Sequence, residues 1–351
     1  MADLTDTLLI PGGDRPGSMP GWVTALFRVA LACFPLPGFA EPATPAQAGI
    51  CTLDIIFGEG FDVPGTLDLT APGPFAVASV SGSSMQNSRV TPWVANYPVG
   101  ASSAPVIVFV PGFLLASSLY QGWTAHLASW GYVAVRADPP TGFFDIDEPA
   151  MALDMRNVIT DILSPAALPV TVDATRIAFS GHSLGGKVAF IAAGGDARIK
   201  SVFVFDPVND GGSSGYTAGQ PNIVPQPMGT IAVPTGILGE LLDSTSAGVA
   251  CAPAAINYQT LFSAETAAPI VYEWTLAGAS HTSFVPDQAA CGSICSLCNT
   301  PTLQPAETYA FMRSSAVAFL RTHLEGTPRL CPWLSGAKIP AYVSLRESSV
   351  P

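Results

Sequence analysis

The stretch Arg176-Ile177-Ala178-Phe179-Ser180-Gly181-His182-Ser183-Leu184-Gly185-Gly186 constrains this chain more than any other. A short apolar run enters Gly-x-Ser-x-Gly and leaves at once through the helix-forming Lys187-Val188-Ala189-Phe190-Ile191-Ala192-Ala193. A strand must therefore turn sharply into a helix, with Ser183 at the apex. Gly181 and Gly185 let neighbouring backbone pass without a Cβ clash. The turn lifts the Ser183 hydroxyl clear of a sheet, and the helix N-terminus favours negative charge beside it. That is the local geometry of a serine nucleophile, which needs a base, an acid and an oxyanion site from elsewhere in the chain.

The surrounding sequence has the rhythm such a turn requires. Residues 105–110 form a continuous apolar run, as expected of a strand buried on both faces. Residues 118–130 predict a helix, 131–137 a strand, and 149–163 an amphipathic helix with Met151, Leu153, Met155, Val158, Ile159 and Ile162 on its apolar side. Further strands are expected at 177–181, 201–206, 230–238 and 269–276, and a closing amphipathic helix at 307–324. Strand-like pieces at 52–57 and 75–80 would begin the sheet in antiparallel fashion. The whole predicts an α/β fold with a mostly parallel central sheet flanked by helices. Residues 1–50 read as an N-terminal extension or targeting segment, 51–326 as the catalytic domain, and 327–351 as a proline-punctuated tail pinned by Cys331.

Composition narrows the partners. Charged residues make up 11% of the 351, and the net charge is -12. An acidic, charge-poor surface disfavours nucleic acid and anionic membrane surfaces. A mean hydropathy of +0.39 implies apolar surface beyond the core, which suits a greasy substrate. Of seven cysteines, the six outside residues 1–50 allow three disulfides. Cys291, Cys295 and Cys298 have a knuckle-like spacing, but no histidine lies within ligand spacing, so disulfides are favoured over a metal. Acidic Asp3, Asp6 and Asp14 precede the apolar run Trp22–Gly38, where a signal peptide would carry basic residues, and Pro35 and Pro37 oppose a spanning helix there.

Four histidines are available as the base. His182 adjoins the nucleophile, and neighbouring side chains on a sharp turn diverge. His126 and His323 fall within predicted helices. His281 follows the 269–276 strand through a short loop, at the sheet edge that carries Ser183, and is the expected base. Two acids compete: Asp206 ends a strand directly before Pro207, and Asp243 lies just beyond the next strand, with Glu240 close by. Asp210 and Glu265 are less well placed. The N–H groups of Leu184 and Phe113 are the expected oxyanion donors, the latter from the Pro111-Gly112-Phe113 segment after the first buried strand. Leu114, Leu115, Leu119, Phe143 and Phe144 are candidate pocket walls.

Several of these segments together resemble the chlorophyllase family of α/β-hydrolases. They are residues 105–115, Ser118-Leu119-Tyr120 through His126 to Tyr132, Gly181-His182-Ser183-Leu184-Gly185-Gly186-Lys187, Phe205-Asp206-Pro207-Val208, and Gly278-Ala279-Ser280-His281. The resemblance implies hydrolysis of the phytyl ester of chlorophyll without metal or organic cofactor, and it favours Asp206 as the acid. It also implies a chloroplast or thylakoid-associated protein in peripheral contact with pigment-bearing membrane, a secretory or vacuolar route being the alternative. Two positions depart from the family: Pro111 stands where it commonly has His, and Leu184 where it has Arg. Pro-Gly-aromatic is similar to cutinase-like polyester hydrolases, whose acid would match Asp243; a broader lipase- or cutinase-like esterase is therefore the competing expectation.

Overall fold

A computed structural model describes residues 67–142, 144–211, 215–245 and 251–350. The expected extension 1–50, the strand-like piece 52–57 and Phe143 lie outside the described residues. Nine strands form a single sheet: β1 (Val77–Gln86), β2 (Arg89–Pro98), β3 (Ala104–Val110), β4 (Val133–Ala137), β5 (Val172–His182), β6 (Ile199–Phe205), β7 (Thr235–Glu240), β8 (Val271–Leu276) and β9 (Val343–Ser348). The helices are α1 (Gln121–Ser129), α2 (Glu148–Ile162), α3 (Leu184–Ala193), α4 (Tyr258–Ala264), α5 (Gln288–Cys291), α6 (Pro305–His323) and α7 (Pro332–Ser335).

Across the sheet the order is β1-β2-β4-β3-β5-β6-β7-β8-β9. The six strands from β4 to β8 run parallel, and β1, β2 and β9 are antiparallel edges. The continuous apolar run of β3 is buried at every residue, as a strand covered on both faces demands. Alternate side chains of the parallel strands feed two cores. Val106, Val108, Phe179 and Val204 point toward α2 and α3, while Ile107, Phe109, Phe203 and Phe205 point toward α1 and α6. A buried ion pair, Lys187 Nζ to Glu148 Oε2 at 2.9 Å, joins α3 to the first turn of α2. This is the α/β-hydrolase fold. Among the described residues, no helix is long and apolar enough to cross a membrane.

Three boundaries differ from expectation for physical reasons. The strand expected over 230–238 starts at Thr235 and runs to Glu240, because Pro234 has no N–H to give the ladder; its carbonyl accepts from Val202 instead. The helix expected over 118–130 opens as a tight 3-10 turn, Ser117–Tyr120, before α1. The segment 327–351 does more than trail as a tail: it carries α7 and then β9, whose Val343 and Leu345 pack on the α6 side of the sheet. Two partly buried apolar residues on an edge strand leave little sequence signal. Cys251 bonds to Cys298 and Cys291 to Cys295, and Cys331 is also disulfide-bonded, so all three cysteines of the knuckle-like run are taken up in bridges.

Candidate active site

The turn between β5 and α3 brings Ser183 to φ 57° and ψ -123°, a left-handed conformation that costs a non-glycine residue energy. Its neighbours explain how it is held. A Cβ on Gly181 would lie 2.2 Å from the Gly185 carbonyl oxygen, and one on Gly185 would lie 2.1 Å from the Val110 oxygen. Only glycine at both places lets α3 start this close to the ends of β5 and β3. The Ser183 N–H donates to the Phe205 carbonyl at 2.9 Å, which ties the elbow to β6.

His281 opens a 3-10 turn, His281–Phe284, shortly after β8, capped by reciprocal hydrogen bonds between Ser280 and Ser283. Its Nε2 lies 2.8 Å from Ser183 Oγ, and its Nδ1 lies 2.5 Å from Asp206 Oδ2. Asp206 leaves the end of β6 at φ 39°, and its N–H donates to the Leu238 carbonyl of β7 at 2.6 Å. Burial pushes the Asp206 carboxyl up, while the hydrogen bond and charge of His281 pull it down. Serine hydroxyl, imidazole and carboxylate thus form one chain, with an acceptor facing the hydroxyl and an N–H facing the carboxylate.

Asp243 meets the same histidine by a different atom. Its Oδ2 accepts the His281 backbone N–H at 2.7 Å, and its Oδ1 accepts the Asn299 N–H at 2.8 Å. Glu240, at the end of β7, accepts the Asp243 N–H at 3.0 Å. Asp243 and Glu240 therefore hold the loop that carries the imidazole and do not touch the ring. Asn299, which also donates to the Leu242 carbonyl at 2.9 Å, carries no motif that sequence reasoning could have found. Asp210 lies on the loop after Asp206, where its carbonyl receives Lys187 Nζ at 3.3 Å. Glu265 is buried at the end of α4, in contact with no residue of this chain of three.

On the far side of Ser183, Pro111 and Gly112 follow β3, and a Cβ on Gly112 would sit 3.2 Å from Ser183 Cβ. Phe113 is half-buried against the α2–α3 core, directly beyond this contact, and Leu184 is the first residue of α3. Both backbone positions flank the serine. Of the expected pocket walls, Leu114 is 47% and Phe144 95% exposed, whereas Leu115 and Leu119 are packed into the core beside α1. The latter two are core residues. A cavity of about 640 Å³ between residues 224–229, α4 and Arg346 includes no residue of the Ser183 chain.

Comparison with known proteins identifies the family of the chain. A family profile described as Chlorophyllase matches residues 70–336. Chlorophyllase-2 of Arabidopsis thaliana is 27% identical over 253 residues, spanning 66% of this chain and 77% of that protein. Chlorophyllase-1 of Arabidopsis thaliana is 27% identical over 285 residues, spanning 72% and 84%. Lipase 1 of a Moraxella strain is 24% identical over 174 residues, about half of each chain. With a strand-to-helix elbow at the carboxyl edge of a mostly parallel sheet, and a profile match over most of its length, the chain belongs to the chlorophyllase family and is a carboxylic ester hydrolase.

Proposed function

We propose that this protein cleaves the phytyl ester of chlorophyll to chlorophyllide and phytol, with Ser183 as nucleophile, His281 as base and Asp206 as the orienting acid. One observation carries the reading: the hydrogen-bonded run from Ser183 Oγ through both ring nitrogens of His281 to Asp206 Oδ2. His281 Nε2 takes the Ser183 proton as Oγ attacks the ester carbonyl. The N–H groups of Phe113 and Leu184 hold the developing oxyanion, each worth about 2.7–4 kcal/mol of barrier stabilisation. His281 then returns the proton to the phytol oxygen as the C–O bond breaks, leaving chlorophyllide esterified to Ser183. Water, deprotonated by the same imidazole, releases the acid. No step calls for a metal or organic cofactor.

The substrate class is supported by the names of the Arabidopsis relatives and by the apolar rim of the site. Leu114, Phe144, Tyr216 and Leu241 follow β3, β4, β6 and β7 respectively, at the edge that carries Ser183, and each is about half exposed or more. Such a rim suits a long isoprenoid ester and shallow contact with a pigment-bearing membrane. A relative from Citrus sinensis is named chloroplastic, and a chloroplast address is our reading for this chain; the disulfides are equally compatible with a secretory route. A broader esterase is the second reading, favoured by Pro111-Gly112-Phe113 and by the similarity to Lipase 1.

Purified protein incubated with chlorophyll a, beside Ser183→Ala, tests both. Chlorophyllide and phytol from the wild type alone are expected. Short-chain ester hydrolysis without any chlorophyllide would transfer the protein to the broader class.

A further inference from the structure

His182 takes no part in the chemistry above, yet both of its ring nitrogens are engaged. It is fully buried, with Nδ1 2.6 Å from the Tyr120 hydroxyl oxygen and Nε2 3.0 Å from the carbonyl oxygen of His281. A carbonyl oxygen only accepts, so Nε2 carries the proton, and the Tyr120 hydroxyl must then donate to Nδ1. Burial, followed by the neighbouring His281 ring 4.7 Å away, holds His182 well below the ordinary imidazole range. Burial likewise holds the Tyr120 phenol well above its own range. Both groups are therefore neutral at working pH.

The other end of this run reaches the oxyanion loop. The Gly112 backbone lies close enough to the Tyr120 hydroxyl to offset part of the effect of burial on it. A Cβ on Gly112 would lie 3.3 Å from His182 Nδ1. Phe109 packs 4.4 Å from the Tyr120 ring, centroid to centroid, and Phe284 6.2 Å from that of His182, which fixes both rings from the sides.

We propose that Tyr120 and His182 are positioning residues, a hydrogen-bonded strut packed against Gly112 at one end and bonded to the His281 carbonyl at the other. The strut spans beneath Ser183 and sets two distances at once, from the oxyanion N–H of Phe113 and from the imidazole of His281. The middle residue of the Gly-His-Ser segment thus has a duty distinct from that of the serine beside it. The inference rests on the serine-esterase reading of the site, but not on the identity of the ester.

Kinetics with p-nitrophenyl butyrate test it. Tyr120→Phe removes a single oxygen and should lower kcat by about ten-fold or more with KM within about two-fold, since a displaced catalytic group costs rate rather than binding. Combining it with His182→Gln should cost no more than His182→Gln alone, because the strut acts as one unit. Wild-type kcat in folded Tyr120→Phe, or strictly additive losses, would reduce both residues to core filling and overturn the proposal. Ring nitrogen NMR of the wild type gives a readout free of any variant. His182 should remain the neutral Nε2–H tautomer through the pH range in which an ordinary imidazole titrates, as hydrogen bonding and burial demand. A titrating His182, or an Nδ1–H tautomer, would refute the strut. A wild type inactive on every ester would remove the esterase reading and the strut with it.

Discussion

Asp206 and Asp243 leave consecutive strands and hold the same histidine, one by its ring and one by its backbone. An amide cannot replace the ring partner, because it favours the wrong imidazole tautomer and stabilises no imidazolium. Asp206→Asn should therefore lower kcat by about 10⁴-fold. Asp243→Asn keeps an acceptor for one of its two N–H donors and should cost only about ten-fold through loosened positioning. Steady-state kinetics of the two variants decide the matter, and an equal or reversed ranking would sink the assignment. Glu240 makes a separate prediction. Burial first, then the Asp206 charge, pushes its carboxyl up to about 9 from an ordinary 4.5. A raised carboxyl binds its proton more tightly in the folded state, so its contribution to stability is full below pH 4.5 and is lost as pH rises through about 9. Glu240→Gln removes that loss. Its Tm should match the wild type near pH 4.5 and exceed it increasingly toward pH 9; parallel Tm curves would refute the sign.

At the scale of elements, the elbow between β5 and α3 is where local sequence and tertiary packing agree most closely. The glycine pattern demands close approach, and the backbone oxygens of Val110 and Gly185 occupy the space a side chain would need. Gly185→Ala would drive a methyl into the end of β3, where backbone cannot give way as a flexible side chain could. A loss above about 3 kcal/mol in denaturant unfolding, or failure to fold, is expected. A near-neutral result would mean that α3 does not begin where it is placed. β6 and β7 show the opposite case. Their ends are legible to within a few residues, but the residues alone leave Asp206 and Asp243 open, and only the family resemblance favours Asp206. That choice depends on the left-handed turn at Asp206 and on its N–H bond to Leu238 of the neighbouring strand.

For the molecule as a whole, the base loop is tied down from several directions. Asn299 sits beside Cys298, whose bridge to Cys251 returns to the segment after β7, 47 residues away. Closing a loop of that length restrains the unfolded chain by about 4 kcal/mol on an entropic model, and measured effects typically reach about 2–4 kcal/mol. The double variant Cys251→Ala with Cys298→Ala should lose that much in denaturant unfolding. A loss under about 1 kcal/mol would show that the bridge restrains little.

The sequence by itself determined the architecture and singled out Ser183 and His281 as the candidate nucleophile and base. Buried parallel strands announce themselves as apolar runs, the glycine elbow admits few geometries, and only one of four histidines follows a strand at the edge carrying Ser183. These are local patterns, fixed by backbone sterics and the solubility of side chains. Tertiary structure showed that Asp206, which the family resemblance already favoured, meets the imidazole, and it alone decided that Asp243 and Glu240 hold its loop and that His182 bridges Tyr120 to the His281 carbonyl. It also decided that Leu115 is core, and that residues 343–348 complete the sheet. Each of these depends on which distant groups meet across strand ends and long connections, and no periodicity within one segment encodes that.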